Sequence, residues 1–236
     1  MTYNIQDGSG TGPTDPNGSW CCDSRGCCGA EGGDRLPRIL EVIKAADPDI
    51  LGIQEAYLWQ LDNFAIARRV AGEMGMNFCV GQSQSPNGAH VALFTRFTIK
   101  QAQGYPRHFE GPKKDYTPRA ALQAELVTPG GQTLHVFVVH LKWQVSEMLY
   151  LVQQMAPYLN SSTLLLGDMN FLDPSEMADR LRGAGWRHPL AERQRVDQIW
   201  TSPSLEPLVQ PGPTIPLELT RGASDHRPVV IELRIP

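Results

Sequence analysis

The sequence predicts an α/β fold built on mixed sheets, and three observations predict it. Strand-like and helical segments alternate along much of the chain, as where "ILGIQE" is followed by "YLWQLDNFAIARRVAGEMG". Other strands are joined by tight turns: "RAALQAELVT" and "TLHVFVVHL" flank "PGGQ", a hairpin signal that makes the pair antiparallel. Finally, "VFVVHL" and "TLLLGD" are apolar at both parities, so both of their faces must be covered. A helix layer on one side and a second sheet on the other covers them economically.

Each element follows from its local pattern. "TYNI" reads as a short opening strand. Residues 7–33, "DGSGTGPTDPNGSWCCDSRGCCGAEGG", are dense in Gly, Pro, Ser and Asp and read as one long loop. In "DRLPRILEVIKAADPD", Leu36, Ile39, Leu40 and Ile43 recur at i, i+3, i+4, i+7, with Pro37 tolerated in the first turn. The helix after "ILGIQE" ends at Gly75, a C-cap signal. "HVALFTRFTI" reads as a strand ahead of the hairpin. "VSEMLYLVQQMAPYL" is a helix with Met148, Val152, Met155 and Leu159 on one face. "STLLLGD" is a strand and "PSEMADRLRGAGW" a helix, and "RVDQIWTS" and "RPVVIELRI" are closing strands. With no solenoid repeat and no linker, residues 1–236 read as a single domain carrying a Gly/Cys-rich insertion at about 8–33.

Composition narrows the class. Hydrophobic residues make up 41% and charged residues 19%, ordinary for a globular protein with a sizeable core. Lys+Arg 21 against Asp+Glu 25 gives −4, so no global basic field advertises nucleic acid, although a local basic groove is compatible with that balance. Arg96, Arg107, Lys113, Lys114 and Arg119 cluster mid-chain, either along a phosphate-bearing substrate or on a solvated face. No run approaches the ~18 apolar residues of a membrane span. No basic-then-apolar leader is visible; the cytoplasm is the default compartment, with secretion the alternative if an upstream signal was removed. Oligomeric state is not encoded in any visible pattern, and a monomer is the default. Of the five cysteines, Cys21, Cys22, Cys27 and Cys28 share one short loop, a spacing compatible with a soft metal, disulfides or free thiols.

The polar residues fall in a pattern. "TYNI" holds Asn4, "ILGIQE" ends in Glu55, and "TLHVFVVH" ends in His140. "TLLLGDMN" ends in Asp168 and Asn170, "RVDQIW" carries Asp197, and Asp225–His226 precede the last strand. Each alone has an ordinary explanation as a strand end or an Asx turn. Recurring in this order, they put Asn, Glu, His and Asp side chains around one sheet edge, where α/β folds build their sites.

This series, Asn4 in "TYNI", "QE", "HL", "GDMN", "VDQI" and "SDH", resembles the endonuclease/exonuclease/phosphatase superfamily with its DNase I-like fold, from residue 3 to the C-terminus. The resemblance implies a four-layered α/β/β/α sandwich, two mixed sheets packed face to face with helices outside. It also implies divalent-metal-dependent hydrolysis of phosphoester bonds, most simply a phosphodiesterase with possible nuclease activity. A phosphomonoesterase or lipid/inositol-phosphate hydrolase is the second enzymatic reading, and a non-catalytic binding module on the same scaffold a third. The substrate partner is a phosphoester, nucleic acid included.

Phosphate-ester hydrolysis needs a cation to offset phosphoryl charge and an aligned, deprotonated water. Oxygen donors suit Mg²⁺ or Mn²⁺ better than zinc. By resemblance, Glu55 and Asn4 hold the metal, and His226 is the base or transition-state partner with Asp225 beside it. Asp168 positions or deprotonates the water, Asn170 binds the phosphoryl group, and His140 contacts the phosphate, oriented by Asp197. Arg119 in "PRAAL" resembles the family's substrate-binding arginine. The family's arginine after "HL" has no counterpart here, and Lys142 is the available substitute. The insertion at 8–33, next to the strand bearing Asn4, is expected either to overhang the site and help select substrate, with Trp20 available for stacking on a base or ring, or to be a plain surface loop.

Overall fold

The computed structural model describes residues 1–6, 22–23, 26–27, 35–57, 59–83, 90–106, 120–142, 145–191 and 195–234. Arg107, Lys113, Lys114, Arg119, Trp20, Cys21 and Cys28 lie outside these, as do the side chains of Cys22 and Cys27, so their expected roles stay expectations. Among the described residues, no helix is long and apolar enough to cross a membrane.

The elements run β1 (Thr2–Asn4), β2 (Cys22–Asp23), β3 (Gly26–Cys27), α1 (Leu36–Ala46), β4 (Ile50–Gln54), α2 (Leu61–Met74), β5 (Asn77–Gly81), β6 (Val91–Thr95), β7 (Thr98–Pro106) and β8 (Ala120–Val127). They continue with β9 (Thr133–His140), α3 (Val145–Met155), β10 (Thr163–Asp168), α4 (Glu176–Gly183), β11 (Asp197–Thr201), β12 (Val209–Pro211), α5 (Leu217–Thr220) and β13 (Ile231–Leu233). One sheet has the order β1-β4-β6-β5 and the other β11-β10-β9-β8-β7. Both are mixed: β1 is parallel to β4 and β10 to β9, while the remaining neighbours are antiparallel.

Three apolar layers hold the stack together. Tyr3, Leu51, Ile53, Ala92 and Phe94 pack outward against Ile39, Leu40 and Ile43 of α1 and Ala67 and Val70 of α2. Leu93, Leu122, Val136, Val138, Leu164, Leu166 and Ile199 fill the space between the sheets. Phe137, Val139, Leu165 and Trp200 pack against Met148, Leu151 and Met155 of α3 and Met177 and Leu181 of α4. This is the four-layered α/β/β/α sandwich. The sheets approach so closely at Gly52 that a Cβ there would sit 3.1 Å from Val138 Cγ1. The residues buried in these layers alternate along β4, β9 and β10, which explains their double-sided apolar sequences.

Two expected strands divide. "HVALFTRFTI" breaks into β6 and β7 at Arg96–Phe97, where Arg96 forms ion pairs with Asp47 and, at 3.1 Å, Asp49. Thr95 lies opposite Ile50 at the start of β4, so this arginine is at the far end of the sheet from Glu55 and cannot track a substrate there. "RPVVIELRI" also divides: Val229 bridges to Thr2 beside β1, and only Ile231–Leu233 pairs with β12.

Candidate active site

Strand direction gathers the polar residues. Because β1 and β4 are parallel, Asn4 and Gln54 are register partners and Glu55 follows on the same edge. Because β9 and β10 are parallel, His140 stands directly beside Asp168. Antiparallel β11 begins there, placing Asp197 opposite Asp168. The segment carrying Asp225 and His226 is brought in by Ser224, whose hydroxyl donates to the Asn4 carbonyl at 2.7 Å and accepts from the His226 N–H at 3.1 Å.

The side chains meet across the two sheets. Asn4 Nδ2 donates to Glu55 Oε1 at 3.1 Å and to Asp168 Oδ2 at 2.9 Å. His140 Nε2 lies 3.4 Å from Asp168 Oδ2 and 3.8 Å from Glu55 Oε1. Asp168 Oδ1 accepts from the Asn170 N–H at 2.9 Å, an Asx turn that holds Asn170 at φ +54°, and the Asn170 amide donates to the Leu141 carbonyl at 2.7 Å. Glu55 also has a positive φ, +58°. Such backbone is costly for side-chain-bearing residues and concentrates at sites.

One expected pairing differs. Asp197 orients His226, through Nδ1–H donation at 2.7 Å, and not His140. The strand order is the reason: β10 lies between β11 and β9, so His140 is two strand spacings, about 10 Å, from Asp197. Asn4 in turn directs its amide N–H groups at the two carboxylates while its oxygen accepts from the Gln6 N–H at 3.0 Å. Asn4 thus ties Glu55 to Asp168, and its place beside Glu55 as a metal ligand stays an expectation.

The electrostatics follow from this crowding. Burial pushes the Asp197 carboxyl up to about 6, against the pull of His226, and the nearby Asp168 charge adds to the rise. Burial alone would lower His226, but the Asp197 hydrogen bond and the charges of Asp197, Asp168 and Asp225 outweigh it and hold the imidazole up at about 9. Its Nε2 faces Asp225 Oδ1 at 4.0 Å. At neutral pH His226 is therefore an imidazolium, suited to donate a proton or stabilise an anion, and it is not poised as a free base.

Two residues outside the expected set hold this geometry. Gln198, buried next to Asp197, donates to the carbonyls of Phe171 (2.6 Å) and Arg195 (2.7 Å) and accepts from Trp200 Nε1 (2.8 Å). It thus joins the Asn170 turn to the start of β11. Ser224 is the other. In sequence the first is one polar residue in a strand and the second a turn serine, so neither carries a signal of its own.

The donor set fits a hard divalent cation. Glu55, Asp168 and Asp197 bring carboxylate oxygens to one edge, and Asp197 Oδ1 is buried with no hydrogen-bond partner among the described residues. Ligand atoms of Asp168, Asp197 and His226 also lie within 4.8 Å of one another. An ion among those three would compete with the Asp197–His226 hydrogen bond, which favours Glu55.

Comparison with known proteins agrees with this architecture. Residues 1–226 match the endonuclease/exonuclease/phosphatase family, and the chain belongs to that family. Members of the family are phosphoester hydrolases. A family protein from Bacteroides thetaiotaomicron superposes with a TM-score of 0.64 at 19% identity, covering 87% of this chain and 83% of that one. One from Beutenbergia cavernae gives 0.66 at 15%, covering 95% and 68%. The human nocturnin catalytic domain, with a bound sulfate anion, gives 0.57 at 18%, covering 81% and 82%. At these identities the likeness is one of fold. Against curated proteins the sequence finds no significant match.

Proposed function

We propose that the protein is a Mg²⁺- or Mn²⁺-dependent phosphodiesterase, acting on a phosphoester seated between Glu55 and His226. The observation that carries the reading is the convergence of three carboxylates and two histidines from both sheets, linked through the Asn4 amide. Nocturnin's bound sulfate, a tetrahedral anion on the same fold, supports it.

Glu55 would hold the cation, which when bound supplies charge neutralisation for the phosphoryl oxygens. Asp168, held by Asn4 and by the Asn170 N–H, is oriented to align the attacking water and take its proton. His226 enters as the imidazolium and donates a hydrogen bond to a non-bridging oxygen or to the leaving oxygen. Asp197 holds that ring through Nδ1, which leaves Nε2 for the substrate. His140, 1% exposed and packed against Asp168, adds a second imidazole on the other side of that carboxylate.

The test is nitrophenol release from bis(p-nitrophenyl) phosphate and from p-nitrophenyl phosphate. Turnover of the diester, abolished by EDTA and restored by Mg²⁺ or Mn²⁺, is expected. Turnover of the monoester alone would move the assignment to a phosphatase. No turnover of either by folded, Mn²⁺-supplied protein would leave a binding module.

A further inference from the structure

Apolar side chains left in water are unevenly placed on this molecule. Among the described residues the exposed large hydrophobics are Leu61, Val145, Leu149, Leu172 and Leu217, each between 39% and 50% open to solvent. Four of them follow directly from the strand ends that build the site. Leu61 opens α2 just after the turns at Glu55–Tyr57 and Ala56–Trp59, so it stays at the edge where β4 delivers Glu55. Val145 and Leu149 share one exposed face in the first turns of α3. The Glu147 carboxylate fastens those turns to the end of β9 by accepting from the Lys142 N–H. Leu172 comes soon after Asn170 and lines the open cleft together with Asp197, Asp225 and His226. The fifth, Leu217, opens α5 on the segment that leads to Ser224. The opposite end of the sandwich is different in kind: Asp47, Asp49 and Arg96 present ion-paired charge there, beside exposed Glu232 and Arg234. Single exposed leucines need no explanation, but aliphatic side chains gathered at one end around a polar cleft do.

Whatever rests on this rim also covers the mouth of the cleft, so a productive partner must itself carry the phosphoester. A protein seated there would close the site. Single-stranded nucleic acid brings phosphates, but it is held by aromatic platforms in a basic groove. Here the rim is aliphatic, none of the described aromatic residues is exposed, and the chain carries a net charge of −4. A phospholipid surface sets phosphodiesters directly above an apolar layer, which is the juxtaposition this end of the molecule mirrors. We propose that the protein docks this end on a zwitterionic phospholipid surface, with Leu61, Val145, Leu149 and Leu172 entering the acyl boundary and a headgroup phosphodiester entering the cleft. The surface is zwitterionic because an acidic protein is repelled by anionic lipid. Water adds to phosphorus, one P–O bond breaks, and the departing oxygen takes a proton, giving an alcohol and a phosphomonoester. The inference rests on the hydrolase reading and deepens it by naming the surface that carries the substrate.

The test is co-sedimentation with phosphatidylcholine vesicles in EDTA, which reads docking without turnover. Wild-type protein should sediment with the vesicles. The triple variant Leu61→Gln, Val145→Gln, Leu149→Gln should show a partition coefficient at least ~10-fold lower, because each exchange withdraws an aliphatic side chain from the apolar layer. Its Tm and its rate on bis(p-nitrophenyl) phosphate should match wild type, since none of the three lines the cleft. Leu172→Gln should weaken sedimentation on its own. In Mg²⁺, mass spectrometry of vesicles containing phosphatidylcholine, phosphatidylinositol and sphingomyelin should show at least one headgroup released by wild type, and less by the triple variant. Equal sedimentation of wild type and triple variant, or none by wild type, would overturn the docking surface. So would binding confined to phosphatidylserine vesicles and abolished by salt. Loss of the triple variant's affinity for a labelled oligonucleotide, read by anisotropy, would transfer the rim to nucleic acid. Protein active on the nitrophenyl diester that released no headgroup would overturn the lipid substrate. If wild type hydrolysed nothing yet still sedimented, and the triple variant did not, the hydrolase reading would fail and the docking surface would stand.

Discussion

Among the described residues, two Asp–His pairs share the same 2.7 Å Nδ1–Oδ2 spacing and have opposite surroundings. Asp197–His226 stands on the sheet edge facing an open cleft, with Asp168 and Asp225 as further negative neighbours. Asp173–His188 is closed in: the His188 ring stacks on Trp200 at 4.8 Å and 21°, and the Arg182 guanidinium pairs with Asp173 while lying 5.6 Å over the same indole. Burial raises both carboxyls, but Arg182 and His188 bring Asp173 below its ordinary range, whereas Asp197, near another acid, ends raised at about 6. A matched cation makes one pair a clamp between α4 and the turn after Asn170. The other pair has its Asp197 Oδ1 buried with no hydrogen-bond partner among the described residues, which leaves it with charge to offer a ligand.

The largest separation should come from activity. Replacing His226 with Gln is expected to lower kcat on a diester by at least ~10²-fold, the usual scale of proton-transfer catalysis, whereas His188→Gln should change it less than ~10-fold. Steady-state kinetics of the two variants decide this, and equal losses would erase the functional distinction between the pairs.

Stability should separate the pairs in the reverse order. Asp173→Asn strands a guanidinium and an imidazole in a packed site and should cost about 2 kcal/mol, below the range for fully buried pairs because Arg182 is partly exposed. For a chain of this length that corresponds to a Tm lower by roughly 4–8 °C. Asp197→Asn removes a crowded carboxylate with an unpartnered oxygen, and its Tm should stay within about 3 °C of wild type. Differential scanning calorimetry in EDTA compares the two.

Linkage to pH sharpens the contrast. The folded His226 value, about 9, is above its ordinary 6.5, so its stabilisation is complete below pH 6.5 and is lost as pH rises through 9. The loss amounts to about 3 kcal/mol. Asp197 has the same sign: raised from 3.8 to about 6, its favourable contribution is gone above pH 6. Asp173 is depressed, so its contribution is present above 3.8 and is lost as pH falls through its lower folded value. Urea unfolding at pH 6, 7.5 and 9 in EDTA should show stability declining, and His226→Gln should flatten that decline. Asp173→Asn should leave that alkaline slope intact, and unfolding repeated between pH 5 and 2 should show its acid slope flattened.

Which parts of this were legible in the sequence depends on whether the determining contacts are local. The strand ends at Asn4, Glu55, His140 and Asp168 were legible because an apolar run and its polar terminus are neighbours in the chain, and parallel pairing then gathers them without further instruction. The partner of Asp197 was not, because it depends on β10 standing between β11 and β9, a matter of strand order. The break in "HVALFTRFTI" was equally hidden, since Arg96 turns the chain by pairing with aspartates 47 and 49 residues away. Asp173–His188 gave no signal either: an aspartate before a proline and a histidine before another look like turn residues until Trp200 covers them.

The smallest effect concerns the link that brings His226 to the sheet edge beside Asp197. Ser224 donates to the Asn4 carbonyl and accepts from the His226 N–H, so one hydroxyl joins β1 of the first sheet to the residue that faces Asp197 of the second. The hydroxyl is buried, and its loss leaves a carbonyl and an N–H without that partner, a cost of about 1–2 kcal/mol. His226 retains its 2.7 Å bond to Asp197, so the ring should keep its charge and its alkaline slope in stability. Only its precision of placement should suffer, and Ser224→Ala is expected to lower kcat about 3- to 10-fold with little change in the pH at which stability declines. A loss as large as that of His226→Gln, or a shifted alkaline slope, would mean that the serine sets the state of the imidazole and not merely its position.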